Sequence, residues 1–338
     1  MRKFFLSLLL LVILVISWPF FEKQIGELDK LDIILHEQNQ EVKVSEKPIL
    51  EVPVEHAFSI HNIVLGEKKE AVEKKLGVAK RSSLNEYDTK WFTYHENYQN
   101  FIMVAYDEKN EVVGLYTNQD LISSSKGIKR STPKDEVLQL LGQPLTKIQK
   151  GFVYFQYQED RDYDVFNIDG SYITIFYDKH NDNRVTSMQI IKENLEKNRK
   201  DFYTKASDDL KEGFEYQLFD LTNADRVKHH LPVLQWDAGV RETARSHSMD
   251  MALNKYFSHT NPSGQSPFDR MKNDGIFYTL AGENLASGQF SSIFAHEGLM
   301  NSLGHRENIL QTEYQFLGVG VAFNADSQPY YTENFFAK

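Results

Sequence analysis

Two histidines and one glutamate stand out as groups that could do chemistry: His259 in Phe257-Ser258-His259-Thr260, Glu283 in Ala281-Gly282-Glu283-Asn284-Leu285-Ala286, and His305 in Gly304-His305-Arg306-Glu307-Asn308. They fall in the C-terminal part of the chain, which holds six of its 11 histidines. Neutral imidazoles are good borderline ligands for Zn²⁺, and a neighbouring carboxylate can bind metal or polarise water. A catalytic zinc usually takes three protein ligands plus water, so Glu283 would have to be the third ligand and could not easily serve as general base as well. Each residue also has a structural reading. His259 and His305 could be hydrogen-bonded scaffold, and Glu283 could cap backbone N–H groups at a loop-to-helix junction. His247, on the apolar face of a helix, reads as a satisfied core histidine, and His296 as a surface one. Ser258 has neither a nucleophile elbow nor an evident Asp partner. Asp250 and Asp269 are expected to cap helices or to pair with Arg245 and Arg270.

The elements that position these residues follow from periodicity. An amphipathic helix carrying Phe214, Leu218 and Leu221 ends near the His229-His230-Leu231-Pro232 turn. A second helix starts at the cap Asp237 and places Val240, Ala244, His247 and Met251 on one face. Phe316–Phe323 and Tyr330–Phe335 alternate as strands, with Gly318 and Gly320 on one face permitting close backbone approach. Helices and strands mix without regular βαβ alternation, so the class is α+β.

These strings, with Asn223, Arg226, Pro232, Leu234-Gln235-Trp236-Asp237, Ser266-Pro267-Phe268-Asp269-Arg270-Met271, Leu317-Gly318-Val319-Gly320 and Tyr331-Thr332-Glu333-Asn334-Phe335, resemble the bacterial branch of the CAP superfamily. The resemblance runs in order from Gly213 to Lys338. It implies an α-β-α sandwich with a central cleft lined in many members by two His and two Glu. On this chain those positions are His259, Glu283 and His305, while the second Glu position falls at Ser302. Leu299 and Leu303 also depart from the Trp and Pro of the bacterial pattern.

Residues 57–193 contain a repeat in which Ile63, Val72, Leu76 and Gly77 match Ile128, Val137, Leu141 and Gly142. Each copy reads as a short helix closed by Gly and followed by an antiparallel meander. The first meander is Lys90–Tyr94, Phe101–Tyr106 and Val112–Thr117; the second is Phe152–Tyr157, Ser171–Asp178 and Val185–Ile191. Through Leu65-Gly66, Val72, Leu76-Gly77, Trp91, Tyr94, Tyr116-Thr117-Asn118 and Gly127-Ile128 this segment resembles the CAP-associated N-terminal domain. His61, His95 and His180 are scattered and read as ordinary surface or core residues. A charged link over 194–212 joins it to the last domain at 213–338, and the two parts are expected to fold independently.

The Phe4–Phe21 run is apolar apart from Ser7, Ser17 and Pro19, and at ~1.5 Å per residue it reaches ~27 Å. Arg2 and Lys3 precede it, which places the N-terminus in the cytoplasm and the domains outside. No small-x-small cleavage site follows, so residues 1–21 are expected to be an uncleaved single-pass anchor; a signal peptide that releases a secreted chain is the rival. Residues 22–56 read as a charged stalk, with a partial helix over Glu22–His36. The formal charge of −10 and the lack of a Lys/Arg cluster exclude a nucleic-acid footprint. No Gly-rich phosphate loop follows a strand. The absence of cysteine excludes disulfides and thiolate chemistry, and suits a bacterial envelope.

The expectation is therefore an extracytoplasmic, membrane-anchored binding module for a lipid, glycan or peptide ligand of the cell envelope. The alternative is a metal-assisted hydrolase, a peptidase or wall-active enzyme using His259, Glu283 and His305 with Zn²⁺ as the candidate metal. The sequence assigns no catalytic residue with certainty.

Overall fold

Residues 45–338 are described by the structure, a computed structural model. The Phe4–Phe21 run and the helix expected over Glu22–His36 lie outside them. Among the described residues no helix is long and apolar enough to cross a membrane. Residues 47–56 of the expected stalk are irregular, and Asn62 pins them through Ile49 O and Glu51 N.

The repeat builds a seven-stranded sheet and two small two-stranded ones. Its first copy contributes β1 (Phe58–Ile60), α1 (Lys69–Leu76), β2 (Arg81–Leu84), β3 (Lys90–Glu96), β4 (Gln99–Tyr106) and β5 (Val112–Thr117). The second contributes β6 (Ile122–Ser124), α2 (Lys134–Leu141), β7 (Lys147–Lys150), β8 (Val153–Gln156), β9 (Tyr163–Ile168), β10 (Ser171–Asp178) and β11 (Arg184–Lys192). Strand order is β2-β3-β4-β5-β11-β10-β9, antiparallel throughout. The copies meet where β5 pairs with β11, Met188 opposite Thr117 and Ile190 opposite Leu115, so the duplication closes on itself about a local two-fold. One expectation fails in detail. Phe152–Tyr157 falls largely on β8, which pairs only with β7, and the sheet strand of this copy is β9. Buried Asp164 breaks the apolar pattern of β9, and the acidic run before it reads as loop.

The C-terminal part runs α3 (Glu193–Asn198), α4 (Asp208–Lys228), β12 (Gln235–Trp236), α5 (Ala238–Asn254), α6 (Pro267–Asn273), β13 (Leu280–Ser287), α7 (Ser292–Met300), α8 (Leu303–Ile309), β14 (Phe316–Phe323) and β15 (Pro329–Ala337). Its sheet order is β12-β14-β15-β13. Alternation along β14 separates the layers. Leu317, Val319 and Val321 join the core made with Leu210, Phe214 and Leu218 of α4 and Leu299 of α7. Gly318 and Gly320 face α5, where an added Cβ would lie 2.3 Å from Arg241 N and 2.0 Å from Arg245 N. This is the α-β-α sandwich expected of the α+β class.

The stretch read as a linker is ordered. α4 begins at Asp208 behind the cap Ser207, and Glu196 of α3 is buried against Lys150 and Arg199. The two parts also share a core, in which Trp91, Phe101, Tyr116 and Phe176 of the sheet meet Leu221, Ala224 and Ile293 of α4 and α7. That contact explains why β5 is buried at every position instead of alternating. One face of the sheet lies under α1 and α2, the other under the sandwich. Gly213 permits the approach, since a Cβ there would stand 2.2 Å from Leu84 O. Lys47–Lys338 accordingly forms one compact unit, and the expected independence of the halves gives way to a common interior.

Candidate functional site

Glu283 lies inside β13, which corrects the loop-to-helix placement. The strand pairs with β15 opposite Asn334 and buries the Glu283 side chain to 1% exposure. One oxygen, Oε1, lies 2.9 Å from Nδ1 of His259, and the other, Oε2, accepts from Nη2 of Arg270 at 2.7 Å. Arg270 sits on α6, which is started by the capping box of Ser266 and Asp269. Its second amino group, Nη1, donates to His259 O and Gln265 O, so one buried guanidinium fixes both the carboxylate and the histidine loop.

A carboxylate accepts, so Nδ1 of His259 carries the proton that faces Glu283. The His259 side chain is 51% exposed. His305, near the start of α8, has its Nδ1 2.8 Å from Ser302 Oγ. Burial lowers the His305 pKa, and the charge of His259 lowers it further. Asn308 donates to Glu283 O and Asn284 Oδ1, while Asn284 donates to His305 O and to Glu333, tying α8 to β13. Burial raises the pKa of Glu333 beneath them.

The arrangement is symmetrical in role: each imidazole has its Nδ1 held by a side-chain oxygen, from Glu283 in one case and Ser302 in the other. A carboxylate would fix the tautomer of its histidine, whereas a hydroxyl can donate or accept and leaves it open. The donor set does not fit a three-ligand zinc centre. Both oxygens of Glu283 are engaged by His259 and Arg270, and among the described residues no group of three or more His, Asp or Glu is placed to hold a metal.

Other expected residues take structural roles. His247 is buried and bonds Ser258 O through Nε2, as expected of a core histidine. His296 is fully buried, not on the surface, with Nε2 2.6 Å from Asp225 Oδ2. Burial pulls the Asp225 pKa up, but the Lys228 ammonium and the His296 bond outweigh it and hold the carboxyl well below its usual range. Asp250 bonds Tyr256 and Asn254, Arg245 pairs with Glu215, and Arg270 pairs with Glu283 instead of an aspartate. Asn223 brackets the Leu234 backbone and Arg226 clamps Pro232, Ile309 and Gln311, so these are scaffold. The sequence reading missed Arg270, Asn284 and Asn308 as parts of the site. Arg270 could have been found from its place in the helix opened by Ser266-Pro267, because its side chain returns toward the loop before it.

A three-layer sandwich with two imidazoles each held at Nδ1 by a side-chain oxygen defines a CAP-type domain, here fused to a duplicated antiparallel domain. The CAP-associated N-terminal family matches residues 65–202, and the cysteine-rich secretory protein family matches 219–335. The chain belongs to the CAP superfamily. It is 30% identical over 290 residues to the uncharacterized membrane protein YlbC of Bacillus subtilis, covering 80% of this chain and 82% of that protein. With the uncharacterized protein YkwD of the same organism it shares 42% identity over 125 residues, 37% of this chain and 48% of that one. A solved extracellular protein containing an SCP domain from Bacillus anthracis has a TM-score of 0.71 at 24% identity, over 87% of this chain and all of that one. A cysteine-rich secretory protein from Staphylococcus aureus gives 0.64 at 15%, over 81% and 94%. At these identities the structures attest the fold.

Proposed function

We propose that the chain is a membrane-anchored, extracytoplasmic binding module whose CAP cleft takes a lipid, glycan or peptide of the bacterial cell envelope. The observation that carries this reading is the double engagement of Glu283, which removes the carboxylate a hydrolytic site would use as third ligand or general base. What remains is two oriented imidazoles presenting hydrogen-bonding edges. Beside them in the chain stand the exposed apolar Phe257 and Leu303. Such a rim suits an amphipathic ligand. The anchor reading is supported by the apolar run between Arg2-Lys3 and Glu22, and by the likeness to a protein called a membrane protein.

The test is cosedimentation of the full chain with purified envelope fragments, alongside protease treatment of wall-stripped cells. The reading expects His305→Ala to weaken retention while its unfolding midpoint stays near the parent's, and external protease to digest the domains. Retention unaffected by His259→Ala and His305→Ala together, or a protected C-terminus, would count against it.

A further inference from the structure

The hairpin of β7 and β8 ends in an apolar apex that the fold leaves bare. Lys150 pairs with Val153, so the turn consists of Gly151 and Phe152, with Gly151 at φ +60°. Glycine suits the first central position of such a turn, and Asn, Asp or Ser is the usual choice at the second. Phe152 stands there instead, 104% exposed, and Val153 and Tyr154 beside it are each 55% exposed. The base of the hairpin is held. Ile148 is buried with Val165 and Tyr172, while Lys150 pairs with Glu196 and donates to Arg199 O. A fixed stem therefore carries three contiguous apolar side chains into solvent.

The duplication serves as an internal control. In the first copy the hairpin after the helix, β2–β3, is closed by Asn85-Glu86-Tyr87-Asp88-Thr89, where Asn85 Oδ1 accepts from the N–H groups of Tyr87 and Thr89. Tyr87 is buried, its hydroxyl donating to Glu196. The fold can thus close this hairpin without an apolar apex. Charge sets the second copy apart as well: residues 137–158 contain Lys147 and Lys150 but no Asp or Glu, although those two types make up 48 of the 338 residues. The apex can meet an anionic headgroup surface that would repel most of a chain of net charge −10.

A protein partner asks for more surface than the apex has. Even aromatic side chains bury only ~150–250 Å² each, two of the three here are already half covered, and a stable pair needs roughly 600 Å² or more from each side. A bilayer asks for no shape match. Its interface favours an aromatic ring joined to a cation, as at Tyr154, where the Lys147 ammonium lies 4.4 Å from the ring centroid. With residues 4–21 as the anchor, residues 22–44 reach at most ~80 Å, more than the roughly 50 Å width of a compact unit of this length. The apex can therefore reach the same membrane.

We propose that Phe152-Val153-Tyr154 is a second membrane contact, which seats the folded unit on the bilayer that holds its anchor. It rests on the anchor reading given above.

The chain has no cysteine, so Phe152→Cys places a single nitrobenzoxadiazole label at the apex. The full chain is reconstituted into vesicles of phosphatidylglycerol and phosphatidylethanolamine, and flotation in carbonate reports the anchor by itself. The expected emission is blue-shifted and quenched by nitroxide-bearing lipid. The same label at Val78→Cys, a position 78% exposed beyond α1, should emit as in water. Adding Tyr154→Asp to the chain labelled at position 152 should abolish the blue shift. A chain that floats while its apex label stays in water overturns the proposal and leaves the anchor standing; one that does not float removes both. Equal quenching at position 78, a shift that survives Tyr154→Asp, or a shift that grows with protein density without nitroxide quenching, as contact between two copies would give, also overturns it.

Discussion

Arg270→Ala should destabilise the protein more than any other single change at the cleft. Arg270 and Glu283 form a buried pair, their side chains 8% and 1% exposed, at 2.7 Å. Removing the guanidinium strands a carboxylate in the interior and also frees two loop carbonyls, His259 O and Gln265 O. Breaking a buried pair by deleting one partner costs about 3–5 kcal/mol, because an uncompensated charge is left behind. At roughly 2–4 °C per kcal/mol for a domain of this size, the melting midpoint should fall by about 10 °C. Glu283→Leu alone strands the arginine instead. Combining it with Arg270→Met removes both charges, and replacement of a buried pair by apolar side chains is often close to neutral. Denaturant unfolding of the parent, Arg270→Met, Glu283→Leu and the double variant gives the coupling energy, expected above about 2 kcal/mol. Arg270→Ala within about 0.5 kcal/mol of the parent, or additive effects in the cycle, would refute the view that this pair locks the site.

The shared interior makes two further predictions. Burial pushes the Glu86 carboxyl up to about 7, outweighing the Arg199 charge and the hydrogen bonds that favour its ionised form. Because the folded pKa lies above the unfolded one, its contribution is fully present below about pH 4.5 and is lost as pH rises to about 7. Glu86→Gln should flatten stability over that window, and an unchanged pH slope in urea melts would contradict this. Gly213→Ala, in spite of alanine's higher helix propensity, should destabilise by about 1–3 kcal/mol by forcing α4 off Leu84 O; a more stable variant would show that the interface yields freely.

Much of this architecture is legible in the sequence, and the misses share a cause. Val240, Ala244, His247 and Met251 mark the inner face of α5 because one face of a helix meets one core. The helix-and-Gly repeat places α1 and α2, since Gly77 and Gly142 both adopt positive φ at the helix ends. Periodicity says nothing about what covers the second face of a sheet, so the packing of α4 and α7 onto Trp91 and Tyr116 went unread. The uninterrupted burial of Phe101–Tyr106 was its trace. Buried ion pairs hide in the same way: His296, Glu196 and Arg270 carry charge or polarity in sequence and are interior in space. At the cleft, the residue types name His259, Glu283 and His305, but only the geometry assigns Glu283 to orienting His259.

The central claim is that Glu283 orients and does not ligate, leaving a binding cleft in place of a zinc hydrolase centre. Calorimetric titration of the full chain with Zn²⁺ at pH 7.5, where His305 is neutral because its pKa is lowered, tests it most directly. The account predicts no saturable site tighter than about 10 µM, as expected when only two imidazole nitrogens are on offer. A tighter one-to-one site that Glu283→Gln, His259→Ala and His305→Ala each abolish without unfolding the protein would contradict it.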